Sequence, residues 1–211
     1  MDYKDLIAYK ANKRGIDSFI HFTNVMNLPS ILQYGILPKK FLNDKLIEYS
    51  ENDVLRLDGY TDATSISVTS PNYKMFYKYR RQNPSKRWAV LVMDAMCVIP
   101  LECAYCYTNA ANQVITSIPI KNLMTVEAFD KMFAETNAQY SRKRMNLSEN
   151  EPTDPQAEIL VFDEITPKAI KYIFFDEYNT MVQYIPLLDS KNIVYSCDIG
   201  VFMPRHDYSF W

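Results

Sequence analysis

Six consecutive apolar residues at 88–93, Trp-Ala-Val-Leu-Val-Met, constrain the fold more than any other stretch of this chain. Their number and composition read as a strand, and the lack of alternation means that both of its faces are covered. The strand therefore lies inside a sheet, and other runs must flank it. Ser18–Thr23 (Ser-Phe-Ile-His-Phe-Thr), the alternating Ala63–Thr69, Ile159–Phe162, Ile170–Phe175 and Ile193–Cys197 have the composition to do so, and Tyr184–Leu188 reads as one more. Helical segments fall between them. Asn24 or Asn27 caps a short helix with Pro29 in its first turn, Leu28, Ile31 and Leu32 on one face, and Gly35 at its stop. Ser70-Pro-Asn72 opens another, carrying Tyr73, Met75, Phe76, Tyr77 and Tyr79 and ending at Arg80-Arg81; aromatics at that density read as core. Val126–Ala134 is a third, and the polar segment through Asp17 has room for a fourth. Residues 38–62, which close in the turn Arg56-Leu-Asp-Gly59, read as a connection, as do Pro100–Asn112 and 138–154.

Composition narrows the function classes. A chain of 211 residues is long enough for one well-buried domain and does not require two. The net charge of −2 excludes the global basic field of a general nucleic-acid binder, so any polyanion would meet a local patch. No apolar run approaches the ~20 residues that span a bilayer, and Met-Asp-Tyr-Lys-Asp lacks the apolar core of a signal peptide. The expectation is a cytoplasmic protein without a membrane partner. Four glycines leave no Gly-x-Gly-x-x-Gly or Walker loop, and His-Glu-x-x-His and Gly-x-Ser-x-Gly are absent too. Cys103 and Cys106 have the spacing of half a zinc site or a redox pair. Cys97, Cys197, His21 and His206 do not stand at partner spacing, so the cysteines read as buried thiols and no metal is expected.

Two residues stand out against this background. Glu158 sits where a turn-forming front (Pro152, Asp154, Pro155) meets the apolar run Ile159–Phe162, which places a carboxylate at the mouth of a strand. Taken alone, an ordinary edge-of-strand glutamate facing water is the better reading of it. His21 lies on a strand two residues before a turn into a helix, where backbone amides favour anionic or polar ligand groups.

His21-Phe-Thr-Asn-Val-Met-Asn-Leu-Pro-Ser-Ile-Leu-Gln-Tyr-Gly-Ile-Leu37 resembles the opening strand and helix of the DarT family of DNA ADP-ribosyltransferases. Three further blocks agree in order: Arg56-Leu-Asp-Gly59, the stretch Ser65-Ile-Ser to Pro-Asn-Tyr-Lys-Met-Phe-Tyr77, and Asp154-Pro-Gln-Ala-Glu-Ile-Leu-Val161. The Asp-Gly, Asn-Tyr-Lys-Met-Phe and Cys-Ala-x-Cys forms look more like the guanine-modifying branch than the thymidine-modifying one. The resemblance implies an α+β fold, with a split β-sheet and helices around a central NAD cleft, as a single domain over 1–211. It also implies transfer of ADP-ribose to a base of single-stranded DNA, by a toxin opposed by a macrodomain antitoxin, DarG. Glu158 and Arg56 then match the catalytic pair. His21, Thr23, Asn27, Gly35 and Arg56 fall at NAD-binding positions, with Phe76 or Tyr77 offering a face for nicotinamide. Gln156 falls where acceptors are read, and Arg80, Arg81, Arg142, Lys143 and Arg144 are candidate phosphate contacts. Two alternatives keep the cleft: a protein or RNA acceptor, or a nucleotide-binding module without turnover.

Overall fold

The structure, a computed structural model, describes residues 2–51, 57–135 and 141–211. In chain order its elements are α1 (Tyr3–Lys13), β1 (Ser18–Asn24), α2 (Leu28–Tyr34), α3 (Lys39–Asp44), β2 (Thr64–Val68), α4 (Tyr73–Gln82), β3 (Trp88–Asp94), α5 (Ala95–Val98), β4 (Cys103–Cys106), α6 (Gln113–Thr116), α7 (Ile120–Leu123), α8 (Val126–Lys131), β5 (Glu158–Val161), β6 (Ile170–Phe175), α9 (Tyr178–Ser190) and β7 (Val194–Cys197), with short 3-10 turns between them. The strands form a seven-stranded sheet in the order β4-β5-β2-β1-β3-β6-β7. All neighbours are antiparallel except β6 and β7, which α9 connects as a crossover. Among the described residues no helix is long and apolar enough to cross a membrane.

β3 is the covered strand that its sequence requires. Ala89, Leu91 and Met93 enter the main core, while Trp88 and Val90 pack on the other face with Phe76, Tyr79 and Phe202. Three segments depart from the sequence expectation. Pro100–Asn112 is not all loop, because Cys103–Cys106 pairs residue by residue with β5. Tyr184–Leu188 is not a strand but the second half of α9, where Thr180, Met181 and Leu188 bury one helical face and Pro186 is exposed. α3 lies within a segment read as connection; it buries no residue and so left no periodic signal.

The sheet is split at its centre. β1 pairs with β3 along its whole length, Ser18 to Asn24. With β2 it shares two rungs, Phe19↔Val68 and Ile20↔Ser67, while Thr64 to Ile66 pair with β5 on the other side. Beyond Ile20 the two strands part, and the opening between them is a cleft.

Candidate active site

The cleft has a volume of about 190 Å³ and is walled by β1, β2, α2 and α4, with the start of β5 in its lining. His21 stands at the first position after the ladder ends. Its Nδ1 lies 3.1 Å from the carbonyl oxygen of Ser65, so a side chain bridges the two strands where their backbones have separated. A carbonyl only accepts, which fixes the proton on Nδ1 and leaves Nε2 as the acceptor nitrogen. Burial pushes the imidazole down to about 4, and the Ser65 hydrogen bond opposes that shift only in part. The ring is therefore neutral near pH 7.

Glu158 is the first residue of β5 and is 4% exposed. A buried carboxylate needs donors. Oε1 accepts from Asn72 Nδ2 at 2.7 Å and from Asn109 Nδ2 at 3.1 Å, and Oε2 accepts from the backbone N–H of Ala110 at 3.3 Å. Asn72 also caps α4, accepting from Met75 N at 3.3 Å, so one amide ties the helix start to the carboxylate. Register and capping thus fix Glu158 from two sides, and it lines the same cleft as His21.

Thr23 is buried at the back of the cleft and accepts from Asn27 Nδ2 at 2.9 Å. The Asn27 amide also donates to Ser50 O at 3.0 Å and accepts from Ser50 N at 2.6 Å. It pins residue 50 against α2 and so fixes the chain just before the segment that carries Arg56. Gly35 ends α2 at φ 93°. A Cβ there would run into the carbonyl oxygen of Ile165, the residue that pairs with Ile36 in an isolated bridge, so only glycine fits this edge of the cleft.

The architecture around this cleft is shared with known proteins. A family model described as "DarT: ssDNA thymidine ADP-ribosyltransferase, DarT" matches residues 20–199. The chain belongs to the DarT family. Solved DarT-family structures share its fold. Thermosipho africanus DarTG in complex with ADP-ribose has a TM-score of 0.61 at 17% identity, over 88% of this chain and 51% of that one. Thermus sp. 2.9 DarT has a TM-score of 0.60 at 15% identity in complex with carba-NAD⁺, over 89% of this chain and 98% of that one. In complex with ADP-ribosylated ssDNA it has 0.62 at 13% identity, over 90% and 97%. This chain spans about half the length of the DarTG chain. No curated protein matches the sequence.

The DarT resemblance placed more residues in the cleft than the structure does. Glu158, His21, Thr23, Asn27 and Gly35 come together there. Arg56 lies outside the described residues. Phe76 is 1% exposed and stacks on Phe22 with ring centroids 4.4 Å apart, so it has no free face for nicotinamide. Tyr77 projects to solvent at 45% exposure, beside Tyr73. The phase of α4 explains the correction: Asn72, Met75 and Tyr79 face the cleft, which turns Tyr77 away. Gln156 sits in the turn before β5, where its N–H donates to Asp154 Oδ1 at 2.7 Å, and its side chain does not line the cleft.

The basic residues divide in two. Arg80 donates to Phe202 O at 2.7 Å, and Arg142 donates to Glu151 O at 2.7 Å, Ser148 O at 2.6 Å and Thr153 Oγ1 at 3.1 Å. Both hold protein together and are poorly placed to take phosphates. Lys143, Arg144 and Arg81 are exposed. Cys103 and Cys106 occupy opposite faces of β4, one in each of two core clusters, and burial pushes both thiols up to about 12. Strand alternation therefore excludes their acting as a pair.

Sequence reasoning missed the groups that hold Glu158 in place. Asn72 was visible only as a helix opener, and Asn109 lies 49 residues from its partner. The C-terminal segment, which carries no periodic signal, contributes a buried clamp. Arg205 makes a two-pronged ion pair with Asp207 (Nε–Oδ1 and Nη2–Oδ2, both 2.7 Å) and donates Nη1 to Pro152 O at 2.7 Å. It thereby braces the turn that enters β5 at Glu158.

Proposed function

We propose that residues 1–211 act as one ADP-ribosyltransferase domain that moves ADP-ribose from NAD⁺ to a base of single-stranded DNA and releases nicotinamide. The observation that carries this reading is Glu158, a carboxylate buried in the cleft and held by donors on both oxygens, across from a neutral His21. In the reaction the bond between the nicotinamide nitrogen and the ribose anomeric carbon breaks, its electron pair leaving with nicotinamide. Positive charge grows on the sugar, and a base nitrogen forms the new bond as its proton passes to the Glu158 carboxylate. Glu158 steadies the growing charge and accepts from the ribose 2′-hydroxyl, an electrostatic role that is strongest where water is excluded. His21 Nε2 and the Thr23 hydroxyl offer an acceptor and a donor for the nicotinamide half. The enclosed volume is smaller than pockets that surround whole ligands, which fits nicotinamide and its ribose inside with the adenylate half across the mouth. Arg56 completes the assignment as the cation for the diphosphate.

Likeness to complexes of Thermus DarT with carba-NAD⁺ and with ADP-ribosylated ssDNA supports both substrates. Likeness to a DarTG chain fits a toxin role, and the macrodomain antitoxin and cytoplasmic setting follow from the DarT resemblance of the sequence. For the base, the sequence forms favour guanine, whereas the matching family model is described for thymidine. The test offers labelled NAD⁺ with separate DNA, RNA and protein pools, followed by mass spectrometry of modified oligonucleotides that contain either base. Label confined to single-stranded DNA supports the reading. Label in protein or RNA alone, or no nicotinamide release above background, overturns it.

A further inference from the structure

Residues 73–87 carry six cations, Lys74, Lys78, Arg80, Arg81, Lys86 and Arg87, and no acid, in a chain of net charge −2. Three of the six serve the fold: Arg80 binds Phe202 O, Lys86 binds Glu51 O, and Arg87 pairs with Glu177. Lys74, Lys78 and Arg81 are exposed, and none of them forms an ion pair among the described residues. They share the outer face of α4 with two tyrosines. The Tyr73 and Tyr77 rings lie 5.6 Å apart, and the Arg81 guanidinium sits over Tyr77 at 6.0 Å, which makes an aromatic–aromatic–cation row along positions 73, 77 and 81. A row of lysines at 74 and 78 runs beside it.

A single exposed aromatic is ordinary, but Tyr73 and Tyr77 form a contiguous ring pair on a cationic face, with Tyr77 45% exposed, and contiguous exposed patches mark interaction sites. Aromatic faces that accept any base, next to cations that follow a phosphate backbone, are what an unpaired nucleic-acid strand binds. The helix also has the right neighbour. Its cap, Asn72, donates to Glu158, and Met75 and Tyr79 of its inner face line the cleft. We propose that the outer face of α4 is a docking track for single-stranded DNA, with Tyr73 and Tyr77 stacking bases several nucleotides from the modified one and Lys74, Lys78 and Arg81 contacting their phosphates. At ten residues the helix is about 15 Å long, enough to hold a few nucleotides. The proposal rests on the DNA-transfer reading above and adds where the flanking strand lies.

The test compares the unaltered protein with Tyr77→Ala and with Lys78→Ala/Arg81→Ala. All three side chains are exposed and outside the cleft, so the fold and NAD⁺ turnover stay intact. Binding of a fluorescent single-stranded oligonucleotide is titrated across a salt series, and labelling of that oligonucleotide is compared with labelling of a trinucleotide too short to reach the helix. Tyr77→Ala weakens binding of the long strand about ten-fold. Loss of two cations flattens the slope of log affinity against log salt by roughly 1.4. Neither change alters nicotinamide release or trinucleotide labelling. Unchanged affinity and slope in both variants overturn the track while leaving the transfer reading in place. An unaltered protein that labels neither substrate overturns the transfer reading itself, and the track falls with it.

Discussion

Arg205→Ala is the most informative single change away from the cleft. The Arg205 guanidinium is buried with Asp207, which is 1% exposed and also accepts from Trp211 Nε1 at 3.0 Å. Arg205 holds the Asp207 carboxyl below the usual carboxylate range against the opposing effect of burial. Removing the arginine leaves that charge buried without its cation, and the Pro152 carbonyl loses its donor. Truncating one partner of a buried pair costs about 3–5 kcal/mol, a large share of the ~5–15 kcal/mol that stabilises a domain. For a chain of this size the melting temperature falls by roughly 10 °C. Urea and thermal unfolding of the variant beside Arg205→Met/Asp207→Leu measure the effect, because replacing both partners by apolar groups of similar volume is close to neutral. The arginine variant loses several kcal/mol and the double variant regains most of it. A loss below about 1 kcal/mol in Arg205→Ala would show that the clamp does not secure the turn before Glu158, and that part of the account would be withdrawn.

Other changes test the cleft itself. Gly35→Ala forces a side chain into a left-handed backbone and against Ile165 O; it costs about 1–3 kcal/mol, read by thermal melting, and raises KM for NAD⁺. His21 is neutral until pH approaches about 4, so its acceptor role predicts transfer that stays level between pH 8 and 5. The same depressed value lowers stability as pH falls from the ordinary histidine range near 6.5 toward about 4, because the unfolded chain binds the proton first. A His21→Gln variant flattens that part of the stability profile; an unchanged profile would place the ring in water.

The sheet was legible wherever a strand announced itself by its own side chains. β1, β2, β3 and β6 lie within two residues of their expected bounds because alternation or unbroken apolar character survives in a single sequence. β4 was not legible. Its four residues, Cys-Ala-Tyr-Cys, are too few to show a period and become a strand only by pairing with β5, more than 50 residues away. α9 was misread for the opposite reason. The apolar run reads locally as a strand and Pro186 opposes a helix interior, but Thr180, Met181 and Leu188 need one helical face on the core, and burial overrides the proline. In the site, Glu158 was visible because it opens a strand, and His21 because it lies on a strand shortly before the turn into a helix. The choice between Phe76 and Tyr77 was not, because the rotation of α4 about its axis is set by packing against Phe22 and Trp88. The amides that hold Glu158 are long-range contacts that no local pattern encodes.

The account's central claim is that a single buried carboxylate stabilises a sugar cation. Glu158→Gln tests it most directly, since it keeps the volume and removes the charge. Single-turnover labelling of single-stranded DNA by NAD⁺ is followed in this variant, with circular dichroism and melting confirming the fold. The account predicts that transfer falls by a factor of about 100 or more while the protein stays folded. Transfer within a few-fold of the unaltered rate would contradict it.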